Sequence, residues 1–184
     1  MQPWYIATER FGPWSEGWAG YVAWSELGQL QELVSLDPML CPSVFEPFED
    51  RYWPHVATEG FLLRYFVDLP FLLDELRRHG PPRAERNLLG VYRDPPFEPP
   101  EPDATLRWER LGHDLCEPES GVSALTNCGG FPSVFDSRQL SEHGLFRSYE
   151  RAREVQMRLK ATHPEEPHAD CQLWAVFRAV EQDG

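Results

Sequence analysis

The cysteines and histidines pose the first chemical question. His113-x2-Cys116, Cys128, His163 and His168-x2-Cys171 supply the side-chain types that bind zinc. Their spacing does not close a site. No C-x2-C pair occurs, and His163-x4-His168 is the one histidine pair in the usual range. A metal reading would draw its ligands from His113, Cys116, Cys128, His168 and Cys171, and the sequence gives no reason to expect any metal or other cofactor. Cys171 opens an apolar run, where a buried thiol is the ordinary expectation.

A nucleophile is the next possibility. In Thr126-Asn127-Cys128-Gly129-Gly130-Phe131 a cysteine precedes two glycines. Such a cysteine can sit on a sharp turn with its thiol exposed and backbone N–H groups nearby, as acyl transfer requires. His113, His163 or His168 would then be its base. The competing reading gives Gly129 and Gly130 a left-handed turn and makes Cys128 a small buried filler. The segment Pro167-His168-Ala169-Asp170-Cys171 offers a histidine and an acid in the order used by zinc deaminases. That chemistry needs a later P-C-x-x-C, and no cysteine follows Cys171, so the match is excluded. Walker, dinucleotide-binding, nucleophile-elbow and kinase signatures are all absent from the sequence.

The third constellation is a surface rather than a reaction centre. Phe45-Glu46-Pro47-Phe48-Glu49-Asp50-Arg51-Tyr52-Trp53 packs three carboxylates and four aromatic rings into nine residues. Large rings give contact area at low entropic cost, and carboxylates steer a basic partner into register. Glu46, Phe48, Glu49, Asp50, Tyr52 and Trp53 are therefore the expected partner-binding residues. The alternative is that the rings anchor an irregular loop while the acids face water.

Charge points the same way. The chain has 184 residues and a formal net charge of −13. Residues 1–60 hold nine acidic and two basic side chains, 61–120 twelve and eight, and 121–184 nine and seven. That imbalance disfavours nucleic acid and anionic membranes, both of which select cationic surfaces. The first reading is thus a non-enzymatic acidic module that binds a basic protein. Bacterial immunity proteins, which inhibit a toxic enzyme, share this profile of charge and size, though no motif. The alternative is a thiol- or metal-dependent enzyme using Cys128 with His168 or His113. No basic-then-apolar leader opens the chain and no apolar run reaches membrane-spanning length, so a cytoplasmic setting with reduced thiols is expected.

The elements that position these residues follow from periodicity. Residues 1–60 form an acidic, tryptophan-rich portion, with Trp4, Trp14, Trp18 and Trp24 amid turn residues. Tyr21–Trp24 reads as a strand end, and Ser25 as the N-cap of a helix bearing Leu27, Leu30, Leu33 and Val34 that stops before Pro38. Phe61–Val67 reads as a buried strand. A helix over 69–79 follows, with Pro70 in its first turn, Arg77 and Arg78 in its last, and Gly80-Pro81 as its stop. Strands are expected over 87–93, 105–111 and 171–180, and an amphipathic helix over 145–161. A proline-rich loop spans 94–103. Helices and strands do not alternate, which predicts one α+β domain over 1–184, with a mainly antiparallel or mixed sheet packed by about three helices.

Overall fold

The computed structural model describes residues 1–58, 64–127 and 131–180. Its centre is a four-stranded sheet of order β1-β2-β4-β3, formed by β1 (Trp4–Glu9), β2 (Arg86–Arg93), β3 (Trp108–Cys116) and β4 (Gln172–Ala179). Every pairing is antiparallel. Among the described residues three α-helices accompany it: α1 (Trp18–Ser25), α2 (Leu69–Arg78) and α3 (Tyr149–Thr162). The α+β fold with an antiparallel sheet is the one the sequence predicts.

The central strands β2 and β4 read as nearly unbroken apolar runs because both faces of the sheet are covered. On one face Tyr5, Leu88, Tyr92 and Phe177 cluster with Leu69, Leu72 and Leu76 of α2 and with Phe45, Tyr52 and Phe66. On the other, Ile6, Leu89, Val91 and Trp174 cluster with Val34, Leu36, Tyr65 and Leu145. Ala152, Val155 and Leu159 of α3 pack with Leu115, Leu173, Phe135 and Phe146. Each fully buried Leu, Val or Phe contributes about 1.5–3 kcal/mol, so these layers dominate stability.

Local signals fix α2 tightly. The Asp68 carboxylate accepts the Phe71 N–H at 2.9 Å and caps the helix, Pro70 lies in its first turn, and Arg77 and Arg78 occupy its last. The proline-rich loop is ordered by its carbonyls, which prolines retain although they lack N–H. Tyr149, Tyr5 and the Trp108 indole donate to the carbonyls of Pro95, Pro102 and Asp103 at 2.9, 3.2 and 2.9 Å.

One glycine is required by its surroundings. Gly112 sits at a register shift in β3 with φ +140°, and a Cβ there would lie 2.4 Å from the Phe146 carbonyl oxygen. Gly112→Ala is expected to cost about 2 kcal/mol through strain and clash with backbone that cannot yield. Chemical denaturation would show it as a lowered midpoint.

Several sequence expectations are corrected. Tyr21–Trp24 lies in α1, not in a strand. The helix expected over 25–37 is absent; the chain there is irregular, and Leu27, Leu30, Leu33 and Val34 are all buried. Tertiary packing surrounds these leucines from more than one direction, so no helical face is needed to bury them. Phe61–Leu63 lie outside the described residues. Arg64–Val67 form no strand, although Phe66 bridges Tyr5 and Val56. The third strand runs 108–116 rather than 105–111, because Trp108 bonds back to the loop and Thr105 closes a turn on Asp103.

Candidate functional site

The expected partner-binding stretch divides in two. Phe45 and Tyr52 are buried and Phe48 is half-buried, their rings packed edge-on or tilted against Phe66 and one another at 5.0–6.1 Å between centroids. Tyr52 therefore anchors a short 3-10 helix, Asp50–His55, and leaves little surface for a partner. Glu46, Glu49, Asp50 and Trp53 remain exposed, with Trp53 edge-on to Phe48 at 5.5 Å. Arg51 pairs with Glu49 and Glu75, each at 3.1 Å, which tempers the negative potential of this stretch.

The cysteine and histidine set does not converge. His113 and Cys116 are three apart on β3, so their side chains leave opposite faces of the sheet. His113 contacts Glu98 at 3.3 Å, and His168 contacts Glu117 at 2.8 Å and Cys171 at 3.9 Å. Among the described residues no group of three potential ligands gathers around a point. Cys128 lies outside the described residues. Burial pushes the Cys41 thiol up to about 12 and raises Cys116 well above the ordinary range, so neither is a thiolate near neutrality. Alkylation of the native protein at pH 8 is expected to spare Cys41, Cys116 and Cys171, all buried, until denaturant is added. Mass spectrometry of the labelled peptides checks this, and prompt labelling of any of the three would contradict it.

The structure assembles a different surface around α1. The sequence of this helix, WAGYVAWS, is almost wholly apolar, yet none of its residues is buried. An apolar helix is ordinarily covered by core or by a partner. Trp18 and Tyr21 tie it down through edge-on contacts with Phe11 at 5.3 and 5.5 Å, and Tyr21 Oη donates to the Thr126 carbonyl at 2.8 Å. Ala19, Ala23 and Trp24 face outward, and Trp24 is 54% exposed.

Beside the end of α1 opens a cleft of about 370 Å³. Its apolar lining comes from Leu27, Leu125, Phe131, Pro132 and Phe135, while Trp24, Glu26 and Asp136 supply an indole and two carboxylates. Side-chain hydrogen bonds from Arg138 hold the Asp136 carboxyl down at about 2, so it stays ionised. Glu26 caps α1 with φ +57°, a left-handed conformation that costs a non-glycine residue about 1 kcal/mol. The steps Trp18, Tyr21 and Trp24 at intervals of three were the available sequence signal for this helix. Gly20 and the aromatic, β-rich composition obscured it.

No protein-family model, no curated protein and no solved structure matches the chain.

Proposed function

We propose that this chain is a non-enzymatic protein-binding module that engages a basic protein through α1 and the cleft beside it. The observation that supports the reading is α1 itself, an apolar helix with no buried residue, adjoining a cleft that carries carboxylates. An arginine or lysine stem fits such a cleft. Its methylenes lie on Phe131 and Phe135, its cation meets the Trp24 indole, and Glu26 and Asp136 supply charge. Covering the exposed indole of Trp24 gives the kind of aromatic anchor that dominates interface energies. The acidity of residues 1–60, including Glu46, Glu49 and Asp50, would steer the encounter, so association should slow as salt rises. The narrower form of the reading is an immunity-type inhibitor whose partner is a basic toxic enzyme.

The test is capture from the organism that encodes the chain, comparing the native protein with Trp24→Ala and Glu26→Gly. A cationic protein held by the native chain and lost by both variants is expected, with binding weakened by about tenfold or more. Glu26→Gly should at the same time leave folding stability unchanged or slightly raised, since glycine accepts the left-handed conformation. Equal capture by all three proteins, or a partner without cationic character, would overturn the reading.

A further inference from the structure

A second cleft, of about 740 Å³, opens between one face of α3, the start of the proline-rich loop and the short 3-10 turn, Pro167–Asp170, that leads into β4. We propose that it binds a free α-amino acid with an apolar side chain, through that ligand's ammonium and carboxylate together. Arg153, Gln156 and Met157 line it from α3, at a spacing that puts them on one helical face. Asp94 and Pro96 line it from the loop, and Gln172 from the first position of β4. Lys160 and Asp170, also in the lining, pair with each other at 2.9 Å and add no net charge. Arg153 and Asp94 are then the charges that the cleft offers to a ligand.

One amide holds these two groups in place and apart. Gln156 Oε1 accepts from Arg153 Nη1 at 2.6 Å, and Gln156 Nε2 donates to Asp94 Oδ1 at 3.3 Å and to the Cys171 carbonyl at 2.7 Å. Asp94 Oδ1 is fixed further by the Leu173 N–H at 2.9 Å. Among the described residues Arg153 meets no carboxylate and Asp94 no cation. In the same wall Gln172 keeps a buried amide oxygen that has no hydrogen-bond partner among them. Opposite charges that are positioned but not joined suit a ligand carrying both signs. A lone anion would meet Arg153 beside an unneutralised Asp94, and a lone cation the converse, so each is selected against. The carboxylate of a zwitterion takes the free donors of the Arg153 fork, while its ammonium donates to Asp94 Oδ2 and the Gln172 amide oxygen. The scale agrees, because a single amide already bridges the two charges, and the ammonium and carboxylate of an α-amino acid lie a similar short interval apart. Preorganisation by Gln156 lowers the ordering cost of binding. Met157, 59% exposed, and the exposed Pro96 supply apolar surface for the ligand's side chain.

The experiment titrates the full chain with L-leucine, L-leucine amide and N-acetyl-L-leucine by isothermal calorimetry, with melting temperature as a second readout. Leucine is expected to bind saturably with a Kd of about 1 mM or tighter and to raise the melting temperature. The amide lacks the carboxylate and the acetyl derivative lacks the ammonium, so each is expected to bind about tenfold more weakly or worse. Arg153→Gln changes an exposed side chain. It should leave the melting temperature of the ligand-free protein unchanged and weaken leucine binding about tenfold. Asp94→Asn keeps an acceptor for the Leu173 N–H and accepts the backbone at φ +42°, so it should fold and lose leucine binding to a similar extent. Arg153→Gln decides the matter if Asp94→Asn melts early. Failure of leucine to saturate, equal binding of either derivative, or native-like binding by Arg153→Gln would overturn the proposal.

Discussion

Asp114→Ala is expected to destabilise the fold by about 4 kcal/mol, seen as a lowered urea midpoint at unchanged slope. Asp114 is fully buried on β3 and joins three parts of the chain. Its Oδ2 accepts from the Leu36 N–H at 3.3 Å and Ser35 Oγ at 3.2 Å, and its Oδ1 from Ser123 Oγ at 2.6 Å and the Leu115 N–H at 2.8 Å. Alanine would orphan four donors in a site sealed from water, which is why the cost exceeds that of a surface hydrogen bond. Asp37, equally buried, accepts from the Ser123 N–H at 3.1 Å and the Asn127 amide at 2.7 Å, so the two acids organise the 35–37 and 123–127 segments together.

Asp114 also carries a signed pH dependence. Burial raises its pKa, and the bonds from Ser123, Leu36 and Leu115 pull back only part of the rise. A folded-state pKa above the unfolded one means that the native state binds the proton more tightly. The contribution of this group is then fullest below the unfolded value near 3.8 and declines as pH rises through the folded value. Asp114→Asn removes that slope. Its stability deficit relative to the native chain should therefore be larger at pH 3.5 than at pH 7, measured by denaturation at both. A deficit that shrinks in acid would refute this account of the site.

Glu32→Ala is the second large effect, about 3 kcal/mol. Removing the carboxylate leaves the Arg10 and Arg178 guanidiniums and the Asn87 amide without their shared acceptor at the end of the sheet. Both arginines keep some access to water, with side chains 28% and 21% exposed, so the cost falls below that for Asp114. The pH dependence runs the other way. Burial alone would raise the Glu32 carboxyl, but hydrogen bonds from Arg10 and Asn87 and the charges of Arg10 and Arg178 outweigh it and hold the pKa below the usual range. Its contribution is present above the unfolded value near 4.5 and is lost as pH falls through the folded value. Glu32→Gln should consequently lie closest to the native chain in acid and diverge from it towards neutrality. These opposite slopes, one for each carboxylate, separate a buried acid satisfied by neutral donors from one satisfied by cations.

Elements whose signals are local are legible in the chain alone. α2 was legible because a cap, a first-turn proline, a leucine face and a Gly-Pro stop agree within a dozen residues. β2, β4 and α3 were legible because unbroken apolar runs and a stepped apolar stripe have few alternative readings. The acidity of the first third is likewise a property of composition. Which aromatic side chains are surface and which are anchors depends on packing between distant segments. Tyr52 and Trp53 are neighbours of similar type, yet Tyr52 is buried against Phe66 while Trp53 remains 46% exposed. Burial depends on what arrives from distant segments, and no local pattern encodes that. The same holds for α1, whose Tyr21–Trp24 stretch reads as a strand end and is instead helical with none of its residues buried. It holds as well for Arg10, Glu32, Asn87 and Arg178, which are scattered along the sequence and meet because antiparallel pairing brings the ends of β1 and β4 and the start of β2 to one end of the sheet, where the irregular segment carrying Glu32 passes.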